Sequence, residues 1–190
     1  MGIQAKLSFF GSIIAGFLVA LLLCFFCMPA RAAGLPRKGT AMPAFELPSP
    51  ANEADVKYLG LNGPKFKLGD VECKLLVVEI IGVYCPYCYE QAPIFNKLYA
   101  RLARKNLADK VKMLAVAAGG TANEVEYLRK NGSYEFPVTQ DESFAVHKLL
   151  GEPKTPFTIL MTREGKVLHT HPNIMEDIDG FLQIIEDQLK

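Results

Sequence analysis

The most constraining stretch of this sequence is residues 75 to 93, LLVVEIIGVYCPYCYEQAP. Its first seven residues form an apolar run broken only by Glu79. A strand with one face in water alternates apolar and polar side chains, so a continuous run demands a sheet covered on both faces. Directly behind it come Cys85 and Cys88, with Pro86 between them. Proline suits the first turn of a helix, where its missing N–H has no partner to lose. Ile94, Phe95, Leu98 and Leu102 then recur at helical spacing, giving a helix from Pro86 to about Arg104, with Pro93 expected to kink it. The stretch is a buried strand running into a helix, with C-x-x-C at the junction.

The rest of the chain continues that alternation. VKMLAVAA, residues 111 to 118, is a second buried strand, and Thr121 with Glu124 three residues later opens a helix as a capping box that Gly132 ends. FPVTQ is a short strand, and a helix from Glu142 to Leu150 follows Asp141 and stops at Gly151. TPFTILMTREGKVLHT gives two strands joined at Glu164-Gly165, and Ile178, Leu182, Ile185 and Leu189 mark a terminal amphipathic helix. Toward the N-terminus, Pro36, Pro43, Pro48 and Pro50 mark residues 34–55 as a linker leading to a first short strand at Phe45 to Leu47. YLGLNGPKFKL is expected to be a hairpin turning at Asn62-Gly63, a pair that tolerates positive φ. The sum is an α/β fold, a central mixed β-sheet flanked by helices.

Residues 1–33 have the form of a targeting segment: Lys6, an apolar run over residues 7–28, then Ala30 and Ala32 at signal-peptidase spacing. The run also has the roughly 20 residues needed to span a bilayer, so signal peptide and uncleaved membrane tether both stand. Either one places the folded part outside the cytoplasm, in the periplasm. The whole sequence holds 21 basic and 20 acidic residues, and beyond residue 33 the net charge is −1. No basic stripe is present to grip a phosphate backbone, which argues against a nucleic-acid partner.

A bare C-x-x-C serves zinc, haem attachment or thiol redox chemistry, so its surroundings must decide. At a helix start, unpaired backbone N–H groups and the helix dipole favour negative charge, which should depress the pKa of Cys85. Cys88, one turn inward and less exposed, is placed to attack a mixed disulfide formed on Cys85. Structural zinc wants four ligands, and beyond the leader there is no second C-x-x-C or C-x-x-H, so no metal or other cofactor is expected. Cys24 and Cys27 lie inside the apolar run, where a thiolate is poorly solvated. Cys73 is expected to be a small half-buried filler ahead of its strand. His169 and His171, on one strand, and His147 are read as ordinary surface residues. Tyr87 and Tyr89 either shape the surface around Cys85 or simply pack. An acid inside LLVVEII is rarely buried without purpose, which marks Glu79 as a proton carrier with a raised pKa.

From about Met42 onward the chain resembles thioredoxin-fold proteins of the TlpA/ResA type, extracytoplasmic thiol-disulfide oxidoreductases. YCPYCYEQAP, with Pro93 five residues after Cys88, FPVTQDESFAVHKLLGEPKTPFTIL and REGKVL carry the resemblance. It implies a thioredoxin-like domain over residues 42–190, with an N-terminal β-hairpin and a central insertion of the TlpA/ResA type. The family's active-site cis-proline falls on Pro156 after Thr155, and its buried acid falls on Glu79. The chain departs from the family in having Tyr84 where a tryptophan usually precedes the first cysteine, and Cys-Pro-Tyr-Cys resembles glutaredoxins and some periplasmic disulfide isomerases. The resemblance implies a redox-active Cys85/Cys88 disulfide, with Glu79 as catalytic acid and with Pro86, Tyr87, Thr155 and Pro156 holding substrate. It further implies protein thiol or disulfide clients, a membrane-embedded thiol reductant as electron donor, and cytochrome c maturation as a destination. Reduction of protein disulfides is the leading expectation; a disulfide oxidase or isomerase and a metal-binding chaperone are the alternatives.

Overall fold

Two short strands, β1 (Leu47–Pro48) and β2 (Lys65–Phe66), open the fold, with helix α1 (Glu53–Leu59) between them. There follow β3 (Leu75–Gly82), α2 (Pro86–Arg104), β4 (Val111–Ala118), α3 (Ala122–Lys130), β5 (Val138–Asp141) and α4 (Ala145–Leu149). The chain closes with β6 (Phe157–Thr162), β7 (Val167–Pro172) and α5 (Ile178–Asp187). This computed structural model describes residues 34–190; the leader expected over residues 1–33 lies outside the described residues.

Five strands form the central sheet in the order β5-β4-β3-β6-β7. β3 pairs parallel with β4, and β4 with β5, whereas β6 runs antiparallel to both β3 and β7. The sheet is therefore mixed, with β3 at its centre, and α3, β5 and α4 lie between β4 and β6 in the chain. The unbroken hydrophobicity of β3 has the expected cause. Leu75, Val77 and Ile81 pack into the layer formed with α2 and α5, and Leu76, Val78 and Ile80 into the layer on the opposite face. Each such side chain contributes about 1.5–3 kcal/mol when fully buried, so exposing either face would forfeit several at once. Helix α2 buries Cys88, Gln91, Ala92, Phe95, Leu98 and Leu102 along one stripe and runs on through Pro93. Phe95 stacks on Phe181 of α5, ring centres 6.4 Å apart, which ties the two helices over the same sheet face.

The N-terminal region differs in detail from the sequence reading. The antiparallel pair of short strands is there, Leu47 opposite Phe66 and Pro48 opposite Lys65, but its strands are joined through α1 rather than by a tight turn at Asn62-Gly63. Asn52 caps α1 by accepting the Ala54 N–H, and Gly60 closes it at φ 69°. Local capping thus outcompetes the turn signal, and Glu53 to Asp55 belong to a helix, not to a linker. Buried Asp55 fixes α1 to α3 by accepting from Arg129 Nε at 2.8 Å and Nη2 at 2.5 Å. Nor is the preceding segment a free tether. Gly39 N–H donates to Val167, Val167 N–H to Thr40 and Met42 N–H to Gly165, lacing residues 39–42 along the start of β7. The first strand lies at Leu47–Pro48 rather than at Phe45 to Leu47.

Candidate active site

Parallel strands β3, β4 and β5 all end at one edge of the sheet, and β6, running the other way, begins there. That edge collects the residues singled out above. Cys85 is the N-cap of α2, in extended conformation at φ −84° and ψ 114°, with Pro86 at the first helical position. Its own N–H donates to Gly82, while the N–H groups of Cys88 and Tyr89 turn back to its carbonyl. The Cys85 thiol is part-exposed and donates to the Thr155 carbonyl at 3.4 Å, just before the cis bond to Pro156. Gly82 makes this approach feasible. A Cβ there would lie 3.2 Å from Cys85 Cβ and 3.3 Å from Thr155 Oγ1.

Cys88 is buried one turn inward, its sulfur accepting the Gly82 N–H at 3.5 Å and its carbonyl accepting the Tyr134 hydroxyl at 3.4 Å. Both thiols are free, and their environments push them in opposite directions. Partial burial works against ionising Cys85, but the Thr155 side chain, the Cys88 thiol and the N–H groups of Cys88 and Tyr87 outweigh it and hold the thiol below its ordinary pKa. Cys88 is pushed up, first by burial and then by the neighbouring Cys85, against the Gly82 N–H that favours its thiolate. The pair thus comprises an accessible, easily ionised sulfur and a shielded one that keeps its proton.

Glu79 sits in the middle of β3 with no exposed surface. It falls on the same strand face as Val77 and Ile81, the face that meets α2 and Cys88. Gln91 Nε2 donates to its Oε1 at 2.8 Å, and its Oε2 has no partner among the described residues. Burial lifts its pKa from 4.5 to about 8, with the Gln91 N–H pulling the other way.

Tyr87 is 61% exposed beside Cys85, and Pro86 is also exposed. Tyr89 is exposed on α2, and Tyr84 bonds Glu124 at the head of α3. The histidines stand away from this cluster. His169 leans on the Phe181 ring, His171 Nε2 lies 3.0 Å from the Ile174 carbonyl, and His147 Nε2 the same distance from that of Pro153. Cys73 is half-buried on the other sheet face. Sequence reasoning missed Gln91 and Tyr134. Gln91 had a signal, being a polar residue one turn after Cys88 in a stripe otherwise made of Ala92, Phe95 and Leu98; Tyr134 had none.

Residues 37–185 match the Redoxin family model. The chain belongs to the Redoxin family. The thiol-disulfide oxidoreductase ResA of Halalkalibacterium halodurans is 25% identical over 142 residues, which are 73% of this chain and 78% of that one. A solved Chlorobium tepidum protein described as a thiol:disulfide interchange protein of the DsbE kind aligns at a TM-score of 0.63 and 24% identity, over 81% of this chain and 99% of its own. StoA from Bacillus subtilis aligns at a TM-score of 0.56 and 17% identity, over 80% of this chain and all of its own. The structures share the thioredoxin fold. With that fold, the family match and the ResA relatives make this Redoxin a TlpA/ResA-like thiol-disulfide oxidoreductase.

Proposed function

We propose that this Redoxin reduces protein disulfides outside the cytoplasm, with Cys85 as nucleophile, Cys88 as resolving thiol and Glu79 as the proton-exchanging group. The observation that carries the reading is the opposed pair of thiols at the head of α2, with the easily ionised one against Thr155. The Cys85 thiolate attacks one sulfur of a client disulfide, the client S–S bond breaks, and one client sulfur leaves as thiolate. Cys88 then gives its proton to the Glu79 carboxylate and attacks Cys85 Sγ. The mixed disulfide breaks, the second client sulfur leaves, and a Cys85–Cys88 disulfide remains. Two electrons have passed to the client, whose thiolates take up protons.

Thr155 and Pro156, with Pro86 and Tyr87 opposite, form the walls between which an extended client segment would lie beside Cys85. The apolar run of residues 7–28 supports a periplasmic location, soluble after cleavage or tethered to the membrane. A membrane-embedded thiol reductant would restore the dithiol, and cytochrome c maturation is the proposed setting.

The purified chain is expected to accelerate dithiol-driven reduction of a protein disulfide, and Cys85→Ser to abolish it. Cys88→Ser should accumulate mixed disulfides that mass spectrometry identifies. Full activity in Cys85→Ser would refute the assignment of nucleophile, and recovery of glutathione adducts alone would refute protein clients. Acid-trapping the thiols in cells tests direction: a mainly reduced pair supports the reductase, and a mainly oxidised one a disulfide oxidase or isomerase.

A further inference from the structure

Gln91 is wholly buried on the face of α2 that carries Cys88, and its amide is oriented without ambiguity. The Met175 N–H donates to its Oε1 at 2.6 Å. A backbone N–H can only donate, so the amide oxygen must face Met175 and the NH2 group must face Glu79. Nε2 lies 2.8 Å from Glu79 Oε1 and 3.5 Å from Thr158 Oγ1. The two carboxyl oxygens are thereby made unequal. Oε1 is held by a donor, so the proton of the neutral acid sits on Oε2, the atom with no partner among the described residues.

Resting on the proton role given to Glu79 above, we propose that Gln91 is a positioning residue. It fixes the Glu79 carboxyl so that Oε2 alone exchanges the proton, and it stabilises the carboxylate enough for exchange to occur near neutrality. The segment between β7 and α5 aims this amide and also braces the substrate side of the site. Asn173, two residues before Met175, donates its N–H to the Pro156 carbonyl at 3.0 Å. One loop therefore sets both the wall at Pro156 and the proton group beneath the cysteines.

On the sheet face that Glu79 occupies, the titratable groups are Cys88 and Cys85 at the head of α2, Tyr99 further along that helix, and Tyr134, which senses Glu79 from the connection between α3 and β5. Its neighbours on β4 and β6 are Ala115 and Thr158, which do not titrate, and His171 lies opposite Thr158 on β7, one strand further out. No cation faces it among these, so the Gln91 amide is the favourable partner of the carboxylate.

The test reads Glu79 directly, by ¹³C NMR titration of glutamate-labelled reduced protein, its resonance assigned by absence from Glu79→Gln. Gln91→Met keeps the length and removes the donor; the Glu79 midpoint should rise by about one unit or more, since a hydrogen bond to a charged group is worth that much. The pH dependence of mixed-disulfide resolution should shift with it. Gln91→Glu keeps an acceptor for Met175 but places two carboxyls around one proton, so titration should split into one step below the parental midpoint and one above. A Glu79 midpoint unmoved by Gln91→Met, or a single parental step in Gln91→Glu, overturns the proposal, and the second variant decides the matter if the first does not fold. The titration needs no turnover, so it stands apart from the assignment of Cys85 and Cys88, which fails on the activity of Cys85→Ser instead.

Discussion

Replacing Glu79 by glutamine is expected to remove a pH dependence of stability that the parent carries. Glu79 has no exposed surface, and burial raises its pKa from 4.5 to about 8 against the opposing Gln91 N–H. In the unfolded chain it titrates at the ordinary value. Between those two values the folded protein holds a proton that the unfolded chain releases. The stability linked to this proton is fully present below the unfolded value and is lost as pH rises to the folded one. The slope is about 1.4 kcal/mol per unit and the whole window about 5 kcal/mol at most. Glutamine has nothing to titrate. Its NH2 would occupy the place of Oε2 and lack an acceptor there, as the hydroxyl of the neutral acid does, so the two proteins should be close in stability at pH 5. By pH 7 the variant should lead by about 2–3 kcal/mol. Urea unfolding of the reduced proteins at unit intervals from pH 5 to pH 8 measures this, and the difference between the curves cancels every other titrating group. Parallel curves would refute the argument, because a carboxyl that leaves no trace in the linkage is not buried as a neutral acid.

Two further outcomes are expected. Brief iodoacetamide treatment of the reduced protein at neutral pH, followed by peptide mapping, should label Cys85 about tenfold or more faster than Cys73 or Cys88, because the thiolate is the reactive form and burial lifts Cys73 to about 11. Gly119→Ala should lose roughly 1–2 kcal/mol from its positive φ of 71° alone, and more because the added Cβ would lie 2.0 Å from the Phe144 ring; Phe144→Ala in the same chain should restore only the steric part, read by thermal unfolding.

The parts of this protein that a sequence discloses are those where local chemistry and tertiary packing agree. LLVVEII and VKMLAVAA read as strands because both faces of β3 and β4 are covered, and Thr121 with Glu124 reads as a helix start because the capping box forms as written. Cys85 with Pro86 is legible as a helix start for the same reason, since Cys85 is the N-cap of α2 and Pro86 takes its first position. The N-terminal region misleads because two local signals compete there. Asn62-Gly63 is a good turn pair, but Asn52 and Gly60 cap the helix Glu53–Leu59, and the buried Asp55–Arg129 contact holds that helix against α3. Such a contact spans 74 residues and has no periodicity to announce it. Tyr134 is hidden likewise, its hydroxyl reaching Cys88 from another element. Gln91 stands between these cases: its position on the buried stripe is periodic, whereas its partner Met175 is supplied by backbone and leaves no mark in the side-chain pattern.

The order of the thiols raises a question of timing. Cys88 is pushed up and Glu79 lies near 8, so in the resting dithiol the carboxylate is too weak a base to hold the Cys88 proton. Part of that upward push comes from Cys85, through both its charge and its hydrogen bond with Cys88. On the proposed roles, the first step of the reaction removes that part. Once Cys85 is joined to a client it carries no negative charge and no longer draws the Cys88 proton, so Cys88 becomes easier to ionise at the moment when it must attack. Resolution is then enabled by the mixed disulfide itself, and the resting pair is guarded against premature closure. The consequence is measurable without a client. Cys85→Ala removes the same charge and the same acceptor, so Cys88 should titrate lower than in the parent when its thiolate absorbance near 240 nm is followed against pH. Burial remains and keeps it above an ordinary thiol. A Cys88 midpoint equal to or above the parental one would show that burial alone sets its value, and that joining Cys85 to a client does nothing to release it.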